Sequence, residues 1–236
     1  MRDSWRHFAA EFIGIFALVF VGGASIMSSA MSQNTNGLLV AALAHGTILA
    51  IMVTATMRIS GHLNPAVTIG FLAARRIEPV MAVVYIIAQL LGATIAAYAL
   101  KAIYPATIAA ATRLGGQSVA LDLSAGQAIL CESLATFFLT FVVFGTAVDP
   151  AAPKVGGFAI GLAVTADILA IGPLTGAAMN PARAFGPAVA SGILEGQAIY
   201  WIGPILGAVG AAVLYDRLFL RRGKEPVDHG PVRPSA

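Results

Sequence analysis

Hydrophobic residues in this chain come in long unbroken runs, not in alternating positions or narrow helical stripes. Six runs, at residues 8–28, 38–57, 79–103, 125–148, 156–171 and 197–218, are of the length a helix needs to cross a hydrocarbon layer about 30 Å thick. Two shorter runs, 66–74 and 181–190, each follow the same tripeptide, Asn64-Pro65-Ala66 and Asn180-Pro181-Ala182. Asn suits the helix N-cap, and Pro at the first helical position gives up no needed hydrogen bond. Each short run spans about 15 Å at 1.5 Å per residue, half of the hydrocarbon layer. The pattern predicts an all-α integral membrane protein with six transmembrane helices plus two half-helices, which enter from opposite faces and meet at the midplane.

An internal repeat divides the chain. The stretch Ala10-Glu11-Phe12-Ile13-Gly14-Ile15-Phe16 has an echo in Cys131-Glu132-Ser133-Leu134-Ala135-Thr136-Phe137, and residues 85–93 match residues 200–208. Residues 1–110 form a first repeat with its half-helix at 64–74, and 125–220 a second with its half-helix at 180–190. Between them an external connecting loop covers 111–124, within an apolar-patched stretch 104–126. Residues 221–236 read as a polar cytoplasmic tail. Three spans per repeat invert the second copy, an architecture that secondary transporters also use.

Composition agrees with this class. Of 236 residues, 58% are hydrophobic and 11% charged, against roughly 25% charged in an ordinary soluble domain. Mean hydropathy is +0.84. The net charge of +3 does not point to nucleic acid, because the cations lie in short loops and form no basic stripe. Arg2, Arg6, Arg58, Arg75, Arg76, Lys154, Arg217, Arg221, Arg222, Lys224 and Arg233 fall on one side of this topology, against Lys101, Arg113 and Arg183 on the other. Both termini are therefore expected in the cytoplasm, and the protein in a cell membrane, plasma or inner. The single cysteine, Cys131, rules out an internal disulfide and any cysteine-based metal cluster.

The candidate chemistry is sparse. An asparagine that caps a helix with its side-chain oxygen keeps its NH2 donors for whatever lies beyond the helix tip. Two such donors, backed by two positive helix ends, would orient a small neutral acceptor and repel cations, protons included. Glu11 and Glu132 lie inside spans, where a charge is costly and a function is the default expectation. Their symmetry favours bracing of the irregular backbone ahead of each half-helix over a proton relay. His62 reads as a loop hydrogen-bonding residue with no metal-ligand partners nearby. Asp167 is expected to face the bundle interior and find a hydrogen-bond partner. A coupled transporter would have only Glu11 and Glu132 as midplane carboxylates. No nucleophile–base or zinc-protease motif is present, so no enzyme, metal or cofactor is expected.

At these residues the chain resembles an aquaporin, a member of the major intrinsic protein family, over residues 5 to 220. The stretches Ser60-Gly61-His62-Leu63-Asn64-Pro65-Ala66-Val67-Thr68 and Met179-Asn180-Pro181-Ala182-Arg183-Ala184-Phe185-Gly186-Pro187 carry the likeness, with the paired Glu11 and Glu132. The resemblance implies a right-handed helix bundle, a pore in each subunit and a homotetramer in the lipid bilayer. It also implies a four-residue selectivity filter at His45, Ile168, Ala177 and Arg183, similar to that of plant vacuolar members. Matching Ala42-Leu43-Ala44-His45-Gly46 to the family's second span selects His45, whereas counting back from Asn64 lands on Ala44. Ala184, Ala188 and the pair Tyr200-Trp201 resemble water-type members more than glycerol facilitators. Ile168 in place of a hydrogen-bonding residue implies a wider, more apolar opening. The expected permeants are water and small neutral solutes such as ammonia or urea.

Overall fold

The computed structural model describes residues 4–153 and 155–220. Arg2, Lys154, Arg221, Arg222, Lys224, His229, Arg233 and the expected tail at 221–236 lie outside the described residues. All regular structure among the described residues is helical: α1 (Ser4–Met31), α2 (Gly37–Thr56), α3 (Pro65–Ala73), α4 (Pro79–Ile103), α5 (Ala106–Ala111), α6 (Ala125–Val143), α7 (Gly156–Thr175), α8 (Pro181–Ser191) and α9 (Ile199–Leu218). A π-helical turn, Phe144–Val148, continues α6. Among the described residues six helices, α1, α2, α4, α6 with its π turn, α7 and α9, are long and apolar enough to cross a membrane. The short helices α3 and α8 follow the two Asn-Pro pairs.

Three regions differ from the sequence expectation by more than two residues. Helix α1 runs four residues earlier and three later than its apolar run, because helical hydrogen bonding does not stop where hydrophobicity does. Helix α7 continues past residue 171 and through Pro173 to Thr175. Proline there removes a single bond in the last turn, and Gly176 closes the helix in the left-handed region at φ 79°. The stretch 104–126 is not a plain loop: it contains α5 and a 3₁₀ turn, Arg113–Gly115. Leu114 is buried there with Met27, Leu100 and Ala190, which accounts for the apolar patches.

The packing repeats between halves. Helix α1 lies against α4 and α2, and α6 lies against α9 and α7. Helices α2 and α7 pack on each other and join the halves, while α3 rests on α9 and α8 on α4. In lipid, association depends on close packing more than on a hydrophobic drive, so small residues mark the seams. Gly161 of α7 meets the Gly46 carbonyl of α2, and Gly207 of α9 meets the Ser133 carbonyl of α6. A methyl group at either glycine would strike backbone. At one end of the bundle, Arg76 Nε and Nη2 bond Asp216 Oδ1 at 2.8 and 2.6 Å, tying the segment after α3 to α9.

Candidate functional site

The two half-helices meet tip to tip through their capping asparagines. Asn64 Oδ1 accepts from the Ala66 N–H at 2.9 Å, and Asn180 Oδ1 accepts from the N–H groups of Ala182 and Arg183 at 3.1 and 3.3 Å. Each Nδ2 then reaches across the midline: Asn64 donates to the Met179 carbonyl and Asn180 to the Leu63 carbonyl, both at 2.8 Å. The donors thus do not simply face outward, as the caps alone suggest. An amide nitrogen carries two hydrogens, so one from each asparagine is used in the cross-link and one remains.

Backbone geometry explains why those carbonyls are available. Leu63 and Met179, the residues before each asparagine, stand in the left-handed region at φ 49° and 52°. For non-glycine residues this costs about 1–3 kcal/mol each, so surrounding contacts must hold them. Glu11 accepts from the N–H groups of His62 and Leu63 at 2.9 and 2.6 Å, from Gln89 Nε2 at 2.6 Å, and from the Ser60 hydroxyl. Glu132 accepts from Ala178 and Met179 N–H at 2.9 and 2.7 Å and from the Thr175 hydroxyl at 2.7 Å. Both glutamates are fully buried. The irregular backbone before each half-helix thus finds its acceptors on a transmembrane helix.

One cavity connects these features. Its wall includes Asn64, Asn180, His62 and the four residues His45, Ile168, Ala177 and Arg183, together with Leu18, Leu49, Val53, Leu139, Ile160 and Val164. The lining is therefore apolar along one part and polar at the helix tips and around Arg183. Arg183 Nη2 lies 2.9 Å from His45 Nε2, and His45 Nδ1 lies 2.7 Å from the Ala41 carbonyl. Arginine only donates, so the network assigns Nε2 as acceptor and places the ring hydrogen on Nδ1, donating to Ala41. His45, not Ala44, therefore stands beside Arg183. His62 Nδ1 is 3.2 Å from Thr68 Oγ1, and its ring packs 4.1 Å from that of Phe71. Among the described residues no group of His, Cys, Asp or Glu could hold a metal ion.

Asp167 departs from expectation: its Oδ2 is buried with no hydrogen-bond partner among the described residues. Three residues outside the sequence-based site also matter to it. Gln89, buried on α4, bonds Glu11 and, at 3.1 Å, Thr68. Thr175 bonds Glu132, and the Tyr200 hydroxyl donates to the Thr175 carbonyl at 2.8 Å. Gln89 had a visible signal as a polar residue within an apolar span, aligned in the repeat with Pro204. Tyr200 had a signal in its repeat match to Tyr85, whereas Thr175 had none, since hydroxyls are common in apolar helices.

Comparison with known proteins matches residues 1–215 to the Major intrinsic protein family. The chain is 41% identical to Aquaporin TIP2-1 of Arabidopsis thaliana over 226 residues, 92% of this chain and 88% of that one. It is 39% identical to Aquaporin TIP4-4 of Zea mays over 226 residues, with the same shares of 92% and 88%. A solved structure, the aquaglyceroporin from Plasmodium falciparum, superposes with a TM-score of 0.81 at 25% identity, covering 91% of this chain and 96% of that one. With six membrane helices, two facing half-helices and a family match across nearly its whole length, the chain belongs to the major intrinsic protein family of integral membrane channels.

Proposed function

We propose that this protein is a passive water channel, with the cavity between the half-helices as its pore. The reciprocal pair of bonds from Asn64 and Asn180, each to the carbonyl before the other, carries this reading. It fixes two helix N-termini face to face, so two positive dipole ends and two amide donors share one point of the pore. A water molecule passing that point accepts from the asparagines while its hydrogens turn away. Cations, protons included, meet positive potential at the tips and again at Arg183. The names of the plant relatives as aquaporins support the same reading.

His45, Ile168, Ala177 and Arg183 form the selective wall in this reading. Arg183 supplies donors and fixed charge and His45 holds it by accepting from Nη2, whereas the side chains of Ile168 and Ala177 offer no hydrogen-bonding groups. That favours a second permeant class of small neutral solutes, ammonia or urea, beside water. Glu11 and Glu132 brace the two tips and drive no coupling, because their oxygens are engaged by donors of the adjoining loops and spans. The two halves act as inverted repeats. The functional unit is a homotetramer with a pore in each subunit. The excess of Arg at the ends of α3 and α9 and after α2 orients that end, and with it both termini, toward the cytoplasm; charge selects the side and not the membrane.

Stopped-flow light scattering on proteoliposomes tests the proposal. Osmotic water flux well above that of empty vesicles, with no proton conductance, is expected. Absence of accelerated water flux at full reconstitution, or flux that follows a proton gradient, would refute it.

A further inference from the structure

We propose that Tyr200 is a positioning residue for the pore wall at Ala177, acting through its single hydrogen bond to the Thr175 carbonyl, and that its repeat equivalent Tyr85 has no such role. This rests on the channel reading above.

Thr175 is the last residue of α7, and the final carbonyls of a helix have no N–H of their own helix to receive. Here three of the last four find donors. The Gly172 carbonyl accepts from Gly176 N at 2.8 Å, the Leu174 carbonyl from Ala120 N at 2.9 Å, and the Thr175 carbonyl from the Tyr200 hydroxyl at 2.8 Å. Tyr200 is 1% exposed and packs among Ala178, Ala184 and Val119. Its hydroxyl is thereby fixed behind the loop that carries Ala177.

The loop itself is soft at one point. Gly176 sits at φ 79° and Ala177 at φ 45°, and a glycine lets the 175–176 peptide rotate at little steric cost. That peptide plane is held at its carbonyl by the tyrosine bond and at its nitrogen by the Gly176 N–H bond to the Gly172 carbonyl. Beside it the Thr175 hydroxyl donates to Glu132 at 2.7 Å and accepts from Ala177 N at 3.2 Å. Without the tyrosine hydroxyl, the Thr175 carbonyl is a buried acceptor lacking a donor, which is costly. The relief open to it is a tilt of the peptide toward the pore, which strains the Gly176 bond to Gly172 as it frees the carbonyl. That adds an acceptor to the wall and draws Ala177 away from Ile168 and Arg183, a change that favours a solute rich in N–H donors.

In the first half the matching tyrosine is engaged differently. The Tyr85 hydroxyl pairs with His7 Nδ1 at 2.8 Å at the start of α1 and also meets the Ser60 side chain, and its ring packs 5.0 Å from that of His62. The loop before Asn64 is held by Glu11 with Ser60 and Gln89; among the described residues, Tyr85 makes no contact with the Ala177 loop of the second half. Tyr85 and Tyr200 occupy matching places in the repeat, so one serves as the control for the other.

The experiment reconstitutes the full-length wild type, Tyr200→Phe and Tyr85→Phe and measures osmotic water and urea permeability per channel. Tyr200→Phe is expected to raise the urea-to-water ratio by about fivefold, the population effect of one ordinary hydrogen bond. Tyr85→Phe is expected to leave the ratio unchanged. An unchanged ratio in Tyr200→Phe, or an equal rise in Tyr85→Phe, overturns the inference while leaving the channel reading intact; a wild type with no water flux overturns both. Should Tyr200→Phe fail to assemble, 3-fluorotyrosine at position 200 replaces it. This stronger donor of nearly the same shape should lower the ratio, and a ratio equal to that of the wild type counts against the proposal.

Discussion

The His45 imidazole has both nitrogens engaged, one by Arg183 and one by the Ala41 carbonyl, so the ring and the guanidinium hold each other in place. Ile168 and Ala177, on the same cavity wall, are buried to 4% and 1% exposure and offer no hydrogen bond from their side chains. Under the proposed function, this contrast sets the difference between water and other neutral solutes. Replacing Ile168 by His puts a polar ring where an aliphatic side chain stands and narrows the opening. Urea and ammonia uptake should fall by about tenfold with water flux largely kept, a discrimination within reach of one altered pocket wall. Uptake rates equal to wild type for both solutes would remove Ile168 from the selective set. Nothing in the structure explains the carboxylate at Asp167.

At the scale of elements, the half-helices are simple to form and hard to place. Asn, Pro and a short apolar run suffice to start α3 and α8, but each tip also needs a left-handed residue, Leu63 or Met179, whose N–H must be satisfied away from water. Glu132 does this for Ala178 and Met179, and Glu11 for His62 and Leu63. A glutamine in either place turns one acceptor oxygen into an NH2 facing an N–H. Each donor orphaned this way costs about 1–3 kcal/mol. Glu132→Gln is therefore expected to lower the yield of intact oligomer and its melting temperature, read by size-exclusion chromatography and a thermal unfolding assay. Full yield with proton-dependent flux would instead make the carboxylate part of a relay. The repetition of Glu11 and Glu132 and the loop backbone they brace were legible in the sequence; the side-chain donors Ser60, Gln89 and Thr175 that complete each set were not, because their approach to the carboxylates depends on tertiary packing.

The whole molecule presents large apolar side chains outward on several spans, among them Ile13 of α1, Leu43 and Ile51 of α2, Leu134 and Phe138 of α6 and Leu162 of α7. Such a surface suits lipid and neighbouring subunits alike. Under the proposed assembly, light scattering of the protein in mild detergent gives the mass of four copies, and a monomer mass at all detergent conditions contradicts it. The orientation has its own check. An epitope tag at either terminus should be protected from external protease in intact cells and cleaved after permeabilisation.

The sequence by itself determined the six spans, the two half-helices and their capped starts, because run length and cap chemistry act within a few residues of the chain. Tertiary structure decided what those elements do to one another. The bonds from Asn64 to Met179, from Asn180 to Leu63 and from Arg183 to His45 join residues 115, 117 and 138 positions apart. No local pattern encodes such pairs. The same holds for the reach of Tyr200 to Thr175, since it depends on how helices from different parts of the chain are rotated against each other. Such rotations come from the packing of whole faces, and a linear pattern of hydrophobic and polar residues leaves them open in a membrane, where nearly every face is apolar.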